Sequence, residues 1–469
     1  MVNNMPYKAA GKAVALAALT LAASMPARAQ GSGVLPGGVG SEPEQEVNQP
    51  LVAISPSPYE ETKLFGDWGG LRTKLLNHGI DFDIGYVGEF GGNTSGQQTG
   101  AGYAGQIAFS LDIDWQKAAN IPGFNTHFVI INRNGNDVSN LYGDHLTQSA
   151  EVYGAAFGMG VKFVYLYGEE KLFNDRLNIA IGRLPVAVDF AASPLYCLPI
   201  GLLGCGNPRA TTNSASFTSW PQSTWGGRIR ARPTPTTYIQ FGAYESDPFP
   251  GGGRTGWEWS TVNATGTILP VEIAWEPVFG PTHLTGHYKL GFAYDTSNFN
   301  NLAQNTAGGP LLTPIETPSM TTGRMQFWAT ADQMLFRNGP GDNAGLTLIG
   351  TYGHSASDVS VTWQTAFVSA LDKGFLRSRP DDGIMLSGAW WAVSNQLGSL
   401  QQQQAALGLP LANNALHPQS NEYAIELDYI APIYRGVYLE PGIQYFIHPN
   451  ADAKLPNAFV FAGRLNIKF

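Results

Sequence analysis

Three arginines recur at every second position in WGGRIRARP: Arg228, Arg230 and Arg232. In an extended chain this spacing puts all three guanidinium groups on one face. They are fixed planar donors suited to hydroxyl, carboxylate or phosphate oxygens. A cation facing hydrocarbon is strongly unfavourable, so a membrane-crossing strand must turn this face inward, toward a lumen. Two readings stand together: the ladder meets solute, or it pairs with lumen carboxylates such as Asp112, Glu272, Glu426 or Glu440 and braces the wall.

Other candidate chemistry is sparse. Gly251, Gly253 and Gly256 have the G-x-G-x-x-G spacing, but no helix pattern follows, and Trp257 and Trp259 continue a loop. His283 and His287 lack the helix and adjacent Glu of a zinc-protease motif, and no Ser sits in a glycine-flanked strand-to-helix elbow. The chain reads as a non-enzyme with no catalytic residue and no cofactor. Cys197 and Cys205 lie in the loop-like segment PLYCLPIGLLGCGNP. In an exported chain they read as a disulfide stapling that loop, and no nearby His or Cys completes a metal site. The connection holding them, 185 to 224, is long for a loop without structure of its own. Bracketed by Arg183 and Arg209, it is expected to fold into the pore and narrow it.

The elements that position these residues follow from the rest of the 469-residue chain. Lys8 and Lys12, the apolar run Ala13 to Ala23 and then Ala27-Arg28-Ala29 form the three-part pattern of a secretory signal peptide, with cleavage after Ala29. Residues 30–63 read as a flexible polar extension. Within 64–79, Leu71, Leu75 and Leu76 share one face of a short helix, ended by Gly79, at the periplasmic entrance. From Ile80 to Phe469 the hydrophobic period is two. Ile107, Phe109, Leu111 and Ile113 alternate with Gln106, Ala108, Ser110 and Asp112, and sixteen strands are expected, starting near 80, 106, 125, 160, 176, 225, 237, 269, 286, 323, 344, 358, 383, 421, 437 and 458. The stretch 355–382 breaks the pattern.

Only 13% of residues are charged and 12% are aromatic, with 56 Gly. That composition fits a wall with one face in lipid, since soluble domains carry about a quarter charged residues. No stretch is long and apolar enough for a membrane helix. The net charge of −9, without a Lys/Arg run, argues against nucleic acid. The fold class is therefore all-β: a 16-stranded antiparallel transmembrane β-barrel over 80–469, in the bacterial outer membrane.

The chain resembles the OprB-type carbohydrate-selective porins. GDWGGLRTKLLNHGIDFDIGY at 66–86, IGRL at 181–184, SPLYC at 193–197, CGNP at 205–208, WGGRIR at 225–230, YIQFGAYESDP at 238–248, ADQMLFR at 331–337 and SRPDD at 378–382 carry the resemblance, in that order. It implies a narrow arginine-lined eyelet favouring glucose and other small sugars over ions. By position, Arg183, Arg228 and Arg230 match the family's basic residues, and Arg133 in INRNG is a looser match. With Arg232, Asp112 and Glu272 they form the candidate eyelet. Partners implied are small sugars and outer-membrane lipid, with a monomer and a homotrimer both open. The alternatives are a general, anion or small-acid porin and, from another class, a barrel enzyme or an adhesin. The extension and the segment 395–420, with its run Gln401 to Gln404, do not align with the family.

Overall fold

The computed structural model describes residues 62–152, 161–205, 208–212, 216–247, 256–339 and 344–469. The leader with its cleavage after Ala29, and the extension up to residue 61, lie outside them. Sixteen strands make the wall: β1 (Ile80–Asn93), β2 (Gly100–Asp114), β3 (Phe124–Asn136), β4 (Lys162–Leu172), β5 (Leu177–Leu184), β6 (Thr224–Thr234), β7 (Thr237–Ser246) and β8 (Gly266–Trp275), then β9 (Leu284–Asn305), β10 (Pro318–Arg337), β11 (Gly345–Ser355), β12 (Thr362–Lys373), β13 (Gly383–Val393), β14 (Asn421–Tyr434), β15 (Val437–Ile447) and β16 (Ala458–Lys468). Each pairs antiparallel with its sequence neighbours, and the sheet closes on itself: Tyr86 of β1 opposes both Ile107 of β2 and Ile467 of β16. A two-residue ladder, Val278–Phe279, pairs with the start of β9.

Side chains alternate between two environments because successive Cβ atoms leave a strand on opposite faces. On β6, Arg228 is 5% exposed while Ile229 is 50% exposed. Gln106, Glu272, Glu426 and Gln444 are buried, whereas Ile107, Ile273, Leu290, Val368, Ile425 and Phe461 are exposed. This arrangement inverts that of a soluble protein. A large apolar side chain left in water forfeits roughly 1.5–3 kcal/mol of burial, so such a wall is stable where the outer solvent is hydrocarbon. No helix of the described residues is long and apolar enough to cross a membrane, and the crossing is made by strands.

One end of the barrel has tight turns, such as 235–236 and 435–436, and the other has long connections at 137–161, 185–223 and 394–420. Bacterial barrels place the tight turns in the periplasm. Two expectations change here. The irregular stretch 355–382 holds a regular strand, β12, between connections at 356–361 and 374–382. Between the strands expected from near 286 and 323, the polar stretch 296–322 is mostly strand too, because β9 runs for 22 residues and β10 for 20. That is about twice the 9–11 residues that cross a bilayer. Beyond the membrane both faces of this ribbon meet water, so the hydrophobic alternation that marks a wall strand is lost. The Gln run of 394–420 is equally ordered. It lies in the helix Asn395–Ala406, where Gln404 donates to the carbonyls of Leu311 and Leu312 at the ribbon tip and Gln401 donates to Gln419.

Ahead of β1, Leu71–Asn77 is helical and Gly79 follows it at φ 80°. Its leucines are not the buried face: Leu71 is exposed and Arg72 is buried. The Arg72 guanidinium donates to the carbonyls of Phe82 (2.8 Å) and Phe469 (2.7 Å) and lies over the Trp68 and Phe82 rings. The first and last strands are thereby joined by one side chain.

Candidate functional site

The site is made where one connection enters the barrel. The described residues of the 185–223 connection cross the lumen and attach to walls far apart. The Ala191 N–H donates to Glu272 Oε2 of β8 (2.8 Å), and Lys289 of β9 donates to the Ala192 carbonyl (2.8 Å). Phe217 packs edge-on against Trp328 of β10, Tyr196 against Phe367 of β12, and Trp220 Nε1 donates to Gln106 of β2 (3.2 Å). On the opposite wall, the Gly201 N–H donates to Glu426 of β14 (2.9 Å), and Arg464 of β16 donates to the carbonyls of Cys197, Leu198 and Pro199. Cys197 and Cys205 form the disulfide expected of them. The Glu151 carboxylate lies beside this bond, but with both sulfurs bonded to each other the group cannot act as a thiolate metal site.

The arginine ladder faces inward, and its members differ in access. Arg228 is sealed: Nε donates to Asp189 (2.7 Å) in the inserted loop, Nη2 to Glu169 (2.9 Å), and Nη1 to Asn178. Arg230 donates to Gln240 (2.8 Å) and Asp189 (3.2 Å), and Arg232 to Glu276 (2.8 Å). Their side chains remain 21% and 27% exposed, against 4% for Arg228. The guanidinium carbons of Arg230 and Arg232 lie 5.0 and 5.3 Å from the centre of the Tyr238 ring, and Lys289 Nζ lies 6.0 Å from it. Bracing therefore holds, but through Asp189, Glu169 and Glu276. The carboxylates named from sequence serve other partners. Asp112 pairs with His127 (2.5 Å), Glu426 holds the loop, Glu440 pairs with Arg464 (2.7 Å), and Glu272 accepts from Tyr238 (2.8 Å), Gln240 (2.9 Å) and Trp328 (2.6 Å) besides Ala191. Trp328 lies against the sheet because its cross-strand neighbour is Gly291, where a Cβ would come within 2.0 Å of the indole.

Arg133 also faces the lumen, donating to Gln106 (2.8 Å). Arg183 does not. It has the parity of outward-facing Ile181 and opposes Trp225 on the outer face of β6. There its guanidinium donates to the Glu258 carbonyl (2.7 Å) and the Ser223 carbonyl (3.2 Å). The segment it holds drapes over the outside of the rim: Trp257 and Trp259 pack on Phe163 at 5.4 and 5.2 Å, and the Trp225 indole donates to the Trp259 carbonyl. Arg183 is thus a clasp for an outer strap and no part of the passage. We expect Arg183→Ala to leave conductance and solute preference unchanged while speeding proteolysis at 256–262, with a cost of roughly 1–3 kcal/mol. A change in conductance comparable to that of a ladder variant would contradict this placement. Tyr167 turns inward, stacking on His127 at 4.7 Å. Sequence reasoning missed Asp189, Glu169, Lys289 and Tyr238. Only strand parity hinted at the last two.

A closed sheet with an apolar outside, a polar inside and a loop tied across its bore defines a transmembrane diffusion channel. The comparisons agree. The carbohydrate-selective porins of the OprB family match over residues 98–469. Porin B of Pseudomonas aeruginosa is 29% identical over 421 residues, covering 87% of this chain and 91% of that one. The putative porin QuiX of Acinetobacter baylyi is 25% identical, covering 87% and 93%. The high-pH structure of Pseudomonas putida OprB superposes with a TM-score of 0.81 at 26% identity, covering 88% of this chain and all of that one. The chain belongs to the OprB family of carbohydrate-selective porins. It is a sugar channel of the bacterial outer membrane, not an enzyme.

Proposed function

We propose that glucose-sized neutral sugars pass the inserted loop along a lining formed by Arg230, Arg232 and Lys289 around Tyr238, with Arg133, Arg228, Asp112 and Glu272 holding the surrounding wall in shape. The observation that carries this reading is the pairing of the accessible arginines. Each keeps spare N–H donors while an acid, Asp189 or Glu276, sits against it. Donors and acceptors then alternate, as sugar hydroxyls require, and the local charge is nearly cancelled, which gives a small anion little to gain. Passage needs binding weak enough to release, and neutral hydroxyls on paired guanidinium groups supply that. The apolar outer wall is read as direct lipid contact.

Liposome swelling tests the lining. With Arg230→Ala, glucose entry is expected to fall several-fold relative to a small diol, since the solute loses charged donors worth roughly 1–2 kcal/mol. Unchanged glucose entry, or entry that follows solute size alone in the parent protein, would leave a general porin. A strong excess of anion over sugar flux would favour the small-acid reading.

A further inference from the structure

The two strands at the seam do not end together. Gly85 of β1 opposes Lys468 of β16, so Ile80 to Asp83 pair with β2 on one side and have no β16 partner on the other. Residues 63–72 fill that gap. The Leu64 N–H donates to the Lys468 carbonyl (2.7 Å), Lys63 pairs with Asp83, and Arg72 holds the Phe82 and Phe469 carbonyls. The chain passes close under the tight turn at 435–436, where a Cβ on Gly436 would meet the Leu64 nitrogen at 2.5 Å. The segment thereby continues the wall at its periplasmic end. Its outer side is apolar: Phe65, Trp68 and Leu71 are 60, 39 and 45% exposed. Phe65 stacks on Phe469 at 5.7 Å, and Trp68 meets Phe82 edge-on at 5.3 Å. Both partners stand on the outer face of the barrel, Phe82 in step with Tyr86 and Phe469 in step with Ile467, so the patch runs without a break into the apolar wall. Trp68 is held at φ 51°, a left-handed backbone that bulky residues rarely adopt. The acid of the segment is turned away, since Asp67 is buried and accepts from the Thr73 N–H (2.8 Å) and hydroxyl (2.6 Å), whereas Lys74 is exposed.

We propose that residues 64–77 form a foot resting on the periplasmic phospholipid leaflet, with Phe65, Trp68 and Leu71 at the edge of the hydrocarbon and Lys74 among the phosphodiester groups. The proposal rests on the reading of the outer wall as lipid contact. Aromatic rings and outward-reaching Lys side chains are favoured at the headgroup level, where one end of the side chain is apolar and the other wet. Phospholipid is preferred to a second copy as the occupant for two reasons. The patch borders the lipid-facing wall directly, and a two-fold contact between copies would bring the same residues together, Lys74 against Lys74, whereas phosphate complements that cation. The foot fastens the barrel to the membrane at the seam, where β1 outruns β16 and the wall has fewest strand hydrogen bonds of its own.

The test uses the full chain refolded into vesicles of phosphatidylethanolamine and phosphatidylglycerol. Leu71→Cys carries an environment-sensitive fluorophore, with Lys74→Cys as a second site should the first variant fail to fold. Cys197 and Cys205 are bonded to each other and take no label. Blue-shifted emission is expected from Leu71→Cys, quenched several-fold more by lipid spin-labelled near the headgroup than by aqueous iodide, since interfacial apolar faces lie about 5–10 Å into the headgroup and acyl boundary. Ile443→Cys, on the outer face in the middle of β15, is the control and should be quenched by a spin label near the acyl chain end. If Ile443→Cys is quenched by lipid and Leu71→Cys by iodide alone, the foot is overturned and the lipid-facing wall stands. If neither responds to lipid, the reading of the wall falls as well. A Leu71→Cys label shielded from both quenchers would mean that protein covers the patch, and this too overturns the proposal. Glucose swelling by labelled Leu71→Cys is expected to equal that of the parent; a several-fold loss would place the segment in the passage and contradict its position at the seam.

Discussion

Arg464→Ala is expected to destabilise the refolded barrel by roughly 3–5 kcal/mol in urea titration and to enlarge its single-channel conductance, because removing one partner of a buried ionic cluster strands the others. The parent guanidinium lies 3.7 Å from Glu89, 3.1 Å from Glu151 and 2.7 Å from Glu440, and its remaining donors hold three consecutive loop carbonyls at residues 197–199. Alanine leaves three buried carboxylates without the counter-ion they share and frees the disulfide-closed part of the loop from its wall. Lysine in its place keeps the charge but lacks the planar fork that serves both carboxylate and carbonyls, so it should recover only part of the loss. An unchanged conductance, with stability lost, would mean that the loop stays in the bore without this clasp.

Glu272→Ala attacks the opposite wall and should abolish the preference for glucose over larger sugars in liposome swelling. Four donors converge on this carboxylate, from Ala191, Tyr238, Gln240 and Trp328, and each one left buried without an acceptor costs roughly 1–3 kcal/mol. The penalties overlap, so a total of about 3–5 kcal/mol is reasonable for one buried network. The effect on transport runs through the loop. Ala191 follows closely on Asp189, the acid that steadies Arg228 and Arg230. Without its anchor, Asp189 leaves the ladder, the guanidinium groups lose their common partner, and both the width and the charge balance of the passage change. Glu272→Gln retains an acceptor and should lie between the two. A Glu272→Ala barrel that still prefers glucose would show that the passage does not depend on the loop's attachment here.

Most of the wall was legible because lipid imposes a rule that the chain must obey at every second residue. Ile107 and Ile229 are outward because nothing polar could stand there. Where that rule lapses, so did the reading: the outer ends of β9 and β10 are strand, but wet on both faces, and their polar run resembles a loop. Arg183 is the instructive miss. IAIGRL puts it in step with Ile179 and Ile181, so parity alone placed it outside, and the family resemblance drew it into the eyelet. Arg228 and Arg230 were correctly turned inward by the same parity. Their partners could not be read, because Asp189 meets them only once a loop with no period of its own has folded back across the bore.

That loop also bears on the order of assembly. It is made before half of the wall has been synthesised, yet it is held by Glu272 of β8, Glu426 of β14 and Arg464 of β16. Its last fastening lies a few residues from the end of the chain. A barrel missing its final strand lacks the clasp as well as the seam, so the fastening of the inserted loop is completed by the same segment that completes the ring.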